Sequence, residues 1–75
     1  TILRGYKMTY YFVKKTPKHS QKDNIRSWSR INDYSKKHSK MTVDEMCGVI
    51  GEHKNGSARD FVLYCIRNGW LGKEN

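Results

Sequence analysis

Acidic residues, proline, cysteine and long apolar runs are all scarce in this 75-residue chain. Each scarcity excludes something. No apolar run approaches the roughly 20 residues of a membrane-spanning helix, and none has the apolar centre and flanks of a signal peptide. Two cysteines, Cys47 and Cys65, are too few for a disulfide framework. Both fall on apolar faces of predicted helices and read as small buried thiols in a reducing compartment. A single bridge between those helices is the alternative. Apolar residues make up only 36% of the chain, with a 12% aromatic share, so the core must be built from few, large side chains. The length permits one domain, residues 1–75, of thin intrinsic stability.

Motifs that carry chemistry are missing as well. His19, His38 and His53 stand far apart in no ligand spacing, and Cys47, His53 and Cys65 make a poor zinc signature without a C-x-x-C pair. There is no Gly-rich phosphate loop, nucleophile elbow or H-E-x-x-H. The expectation is a protein that is not an enzyme, with no cofactor and no metal.

Positive charge is abundant. Fifteen Lys and Arg against seven Asp and Glu give a net charge of +8 and a pI near 9.7. The excess is segregated. Between positions 14 and 40 stand Lys14, Lys15, Lys18, Lys22, Arg26, Arg30, Lys36, Lys37 and Lys40, opposed only by Asp23 and Asp33. From Met41 onward, four basic residues meet five acidic ones. Cations gathered on one surface raise the local potential, and a polyphosphate meeting them releases its condensed counterions. The nine are therefore expected on a common side, as a nucleic-acid-binding surface. An anionic membrane is not expected as partner, because no helix combines this charge with a strong apolar face.

The pattern predicts an α+β, mostly α fold: three helices with a short N-terminal strand or hairpin. Met8 to Lys14 is aromatic and β-branched, the composition of a strand. Ile2 to Tyr6 could pair with it. Pro17 lies in a loop reaching to residue 21, where it removes a donor and biases Thr16 towards extended geometry. A first helix over 22–38 follows, with Ile25, Trp28, Ile31 and Tyr34 as its apolar positions. A second over 42–51 opens on a Thr42–Glu45 capping box, buries Val43, Met46, Cys47 and Ile50, and stops at Gly51. A turn over 52–56 leads to a third helix over 57–69, capped by Ser57 with Asp60 placed to complete a box. Its buried stripe is Ala58, Phe61, Val62, Cys65 and Ile66. Gly69 occupies the place of a left-handed cap, with Trp70 folding back over the last turn.

Met41 to Leu71 resembles the helix-turn-helix of winged-helix DNA-binding domains. The run Thr42-Val43-Asp44-Glu45-Met46 is similar to the capped start of that motif's first helix, and Ile50-Gly51 to its end. Ser57-Ala58-Arg59 resembles the start of the recognition helix, and Asn68-Gly69-Trp70-Leu71 the exit towards the wing. Two departures stand out. The stretch from Gly51 to Ser57 is longer than the family's tight turn, and the four residues after Leu71 leave no room for a C-terminal wing. Either the N-terminal strand replaces the wing by pairing around Leu71, or the wing is truncated.

The resemblance implies a DNA-binding regulator or accessory factor, cytoplasmic or located with the nucleoid or nucleus. Helical geometry points Arg59, Asp60, Leu63, Tyr64 and Arg67 away from the stripe. Arg59 and Arg67 would reach guanine edges or phosphates, Tyr64 a phosphate and Leu63 a thymine methyl, while the first helix and its preceding loop grip the backbone. Two other readings compete. One is an inhibitor or adaptor that binds a protein partner through Leu63, Tyr64 and Trp70. The other is an RNA or single-strand binder that stacks bases on Trp28 or on Tyr10 and Tyr11, although Trp28 more readily belongs to a core. A domain this small can also complete its core, or span two half-sites, as a homodimer.

Overall fold

The computed structural model describes residues 9–54 and 56–74. The expectations placed on Ile2 to Tyr6, Met8 and Asn55 lie outside the described residues. The elements run β1 (Tyr10–Val13), α1 (Lys22–Ser35), α2 (Val43–Ile50), α3 (Ala58–Arg67) and β2 (Leu71–Glu74). The fold is α+β and mostly α, as the pattern of apolar and turn residues predicts.

β1 pairs antiparallel with β2, with Val13 opposite Leu71 and Tyr10 opposite Glu74. Along its other edge, Tyr11 exchanges two backbone hydrogen bonds with Met41, at 2.7 and 2.9 Å. The N-terminal strand is thus held between the segment that enters α2 and the strand that leaves α3. Period-two alternation sends Tyr11, Val13 and Leu71 towards the core. Phe12 lies outside, across Gly72, where an added Cβ would come within 2.5 Å of the ring. Only glycine fits beneath that ring.

The three helices close around Trp28, Ile31, Met46, Ile50, Phe61, Val62 and Cys65, and Met41 and Leu71 seal the core from the strands. α1 departs from its expected stripe. Three-residue steps rotate the apolar positions by about 60° each, so a stripe from Ile25 to Tyr34 cannot face one way. The helix resolves this by exposing Ile25 (48%) and burying Ser27 instead. It also stops at Ser35 rather than reaching residue 38. Lys36 and Lys37 close it with i→i−3 bonds to Asp33 and Tyr34, the tight last turn of a helix that lacks a glycine stop.

α2 and α3 begin and end where their caps dictate. Thr42 Oγ1 accepts from the Glu45 amide at 3.1 Å, and Glu45 Oε1 accepts from the Thr42 amide at 2.9 Å. Past α3, Gly69 takes a φ of 79°. Its amide donates to Ile66 and that of Trp70 to Cys65, both at 3.0 Å, which is the paired bonding of a Schellman ending. The cysteines are both free, and no bridge joins the helices. Burial pushes the Cys65 thiol up to about 12.

Candidate nucleic-acid interface

The loop between β1 and α1 is tied down at both ends. At its start, the amides of Lys14 and Lys15 both donate to the Trp70 carbonyl, at 2.9 and 3.1 Å. Further on, the His19 ring lodges among Trp28, Phe61 and Trp70, with centroids 5.8, 5.7 and 5.2 Å away. Burial lowers its pKa, which favours the neutral ring. At its end, Gln21 and Asn24 share a cleft with Asp60, Phe61 and Tyr64. Trp70 follows the last turn of α3 and Asp60 lies in its first, so the loop runs antiparallel along the length of α3. Lys14, Lys15, Lys18 and Lys22 are exposed along that path.

The outward residues of α3 are those that helical geometry assigns: Arg59, Asp60, Leu63, Tyr64 and Arg67 are all exposed. Leu63 and Tyr64 retain 44% and 43% of their surface. Tyr64 also stands edge-on to Trp70 at 5.3 Å. Arg59 is ion-paired with Asp44 of α2. The expected second capping box is only half formed. Ser57 Oγ accepts from the Asp60 amide at 3.0 Å, but the Asp60 carboxylate makes no reciprocal bond to the cap. It has no hydrogen-bond or ion-pair partner among the described residues.

Several of the remaining cations have partners within the molecule. Arg26 donates to Asp23 Oδ1 and to the Glu52 carbonyl, both at 2.8 Å, and Arg30 donates to the Ile50 carbonyl at 2.7 Å. These two guanidiniums hold the carbonyls at the end of α2, where its dipole is negative. Lys36 pairs loosely with Asp33 and Lys40 with Glu74, each at 3.6 Å. Lys40 also sits 4.5 Å above the Tyr10 ring. Lys36 and Lys37 follow the end of a helix whose 14 residues separate them from Lys22 by about 20 Å. Lys22 and Arg26 border one depression, so the cations beside α3 continue onto the start of α1, while Lys36 and Lys37 lie at its far end.

No family model matches the chain, and no match was found among curated proteins or solved structures. The reading of the site therefore rests on its own geometry.

That geometry decides two stacking and catalytic questions. Trp28 is only 4% exposed, so it belongs to the core and offers no face for a base. Ser27, His53 and Asp23 converge as well, with Ser27 Oγ 2.7 Å and Asp23 Oδ2 3.2 Å from His53 Nδ1. Both partners crowd the same ring nitrogen, whereas a relay needs base and nucleophile on one side and the orienting acid on the other. With Ser27 fully buried, the group fastens the segment after α2 onto α1. Gln21, Asn24 and Lys54 are surface residues that the charge count alone does not single out. Lys54 joins Lys22, Asp23 and Arg26 around a second shallow depression.

Proposed function

We propose that this chain is a small, non-catalytic DNA-binding domain of helix-turn-helix type, acting as a regulator or accessory factor. On this reading α3 lies in the major groove of a duplex and the lysine loop holds the neighbouring phosphates. The observation that carries it is the antiparallel course of the loop along α3. It sets a row of exposed cations beside an exposed helix face, the arrangement needed when phosphate contacts position a protein and a few base contacts specify. Lys14, Lys15, Lys18, Lys22 and Arg67 have no acidic partner among the described residues, so their charge is available to a polyanion. β1 pairs with β2 beside the exit of α3, where the resemblance to winged-helix domains calls for a strand.

A protein-binding reading has one specific support, the adjacent exposure of Leu63 and Tyr64 on α3. A titration against duplex DNA, single-stranded DNA and structured RNA at two salt concentrations separates the possibilities. The expected result is preference for the duplex, with a slope of log affinity on log salt of about −4.5 if the five cations each meet a phosphate. Preference for a single strand or RNA would overturn the duplex assignment. Absence of salt-sensitive binding to all three would overturn the nucleic-acid reading and favour a protein partner.

A further inference from the structure

Beside the lysine loop lies a cleft of about 360 Å³ whose chemistry differs from its surroundings. Its lining joins three separate segments: Gln21 and Asn24 at the start of α1, His53 after α2, and Asp60, Phe61 and Tyr64 on α3. The floor is aromatic, with the His53 and Phe61 rings 4.8 Å apart. The rim carries two amides and one carboxylate. That carboxylate, on Asp60, is left by the half-formed cap with no partner among the described residues. An acid in the first turn of α3 suits the helix dipole, but it also sets a negative charge on a face that would meet a polyanion. An acid there repels the backbone and accepts only from a hydrogen-donating group.

We infer that Asp60 is a specificity-determining residue that reads the exocyclic N4 amino group of a cytosine in the major groove, at the mouth of this cleft. The inference rests on the reading of α3 as the groove helix. The four bases differ sharply towards a carboxylate there. Guanine presents the acceptors N7 and O6, and thymine presents O4 and a methyl group, so both repel it. Adenine offers its N6 amino group next to the acceptor N7, which opposes the second carboxylate oxygen. Cytosine offers N4 with no adjacent acceptor. Arg59 is held by Asp44 and the Asn68 amide by the Tyr64 carbonyl, at 2.8 Å. Asp60 is therefore the polar group in the N-terminal half of α3 with its acceptors open, and that half is the part of a recognition helix that meets base edges.

The test is selection from a randomised duplex pool by the whole chain, by Asp60→Asn and by Lys18→Ala, followed by affinity measurements on the selected sequence and its single-base changes. Circular dichroism checks that each variant keeps its helices. The original chain should enrich one C·G position, and changing that cytosine to thymine should weaken binding about tenfold. Asp60→Asn should lose that preference and turn towards adenine, whose N6 and N7 match an amide, while binding non-specific duplex at least as well as before. Lys18→Ala should bind all sequences more weakly and keep the cytosine preference. Identical preferences in the original and Asp60→Asn chains would overturn the inference and leave the groove-binding reading standing; steep salt-dependent duplex binding with no enriched position would overturn the inference and leave only duplex binding through phosphates. No duplex binding at all would overturn that reading and this one together.

Discussion

α2 and α3 start from the same local recipe, a hydroxyl cap with an acid three residues on, and reach opposite ends. At α2 the acids of the first turn and the carbonyls of Ile50 and, just beyond it, Glu52 all have partners from elsewhere in the chain. Glu45 closes the box on Thr42 and accepts from the Tyr34 hydroxyl at 2.9 Å. Asp44 holds Arg59, and Arg26 and Arg30 hold the carbonyls at and beyond its C-terminus. In α3 the cap is half formed, and Asp60, Leu63, Tyr64 and Arg67 face solvent. One helix holds the fold together while the other presents a surface. A residue type therefore means little here until its partners are known.

Paired substitutions break that comparison most strongly in the core. Ile50 of α2 is fully buried and Leu63 of α3 is 44% exposed. Ile50→Ala should cost about 2–5 kcal/mol, enough to unfold much of so small a domain, whereas Leu63→Ala should stay within about 0.5 kcal/mol. Urea denaturation followed by circular dichroism measures both. Similar losses would mean that α3 is covered by something else in solution.

A smaller effect separates the two acids. The Thr42 amide, and then the Tyr34 hydroxyl, hold the Glu45 carboxyl below the usual carboxylate range. A depressed folded pKa stabilises the fold at pH values above the unfolded value and is lost as pH falls through the folded one. The loss of thermal stability between neutral pH and the acid range should therefore become shallower in Glu45→Gln. Asp60→Asn removes a carboxylate that makes no bond to its cap, so at neutral pH it should change the urea-denaturation stability by no more than about 0.5 kcal/mol. A larger loss would show that the second box closes in solution.

Much of this architecture is legible in the sequence because it is local. The Thr42–Glu45 box and the Gly69 ending each depend on residues within one turn, and both helices obey them. Strand β1 announces itself through Tyr10 to Val13, and its pairing around Leu71 was one of two alternatives the departures from the winged-helix pattern left open. Ile25 misled because a three-residue step looks periodic over one turn and drifts over three. The site was harder to read for a different reason. Arg26, Arg30 and Arg59 add to a charge count whatever they touch, and backbone carbonyls, the partners of the first two, leave no mark in a sequence. The cleft needs Asn24, His53 and Asp60 brought together from three elements, which no single window of residues reveals.

The division of cations decides the account most directly. Duplex affinity should be followed across salt for the original chain, for Lys14→Ala/Lys15→Ala/Lys18→Ala and for Lys36→Ala/Lys37→Ala. Removing the loop lysines should make the salt slope shallower by about 2.7, with little change on removing the pair beyond α1. An unchanged slope in the loop variant, or an equal change in both, would contradict it.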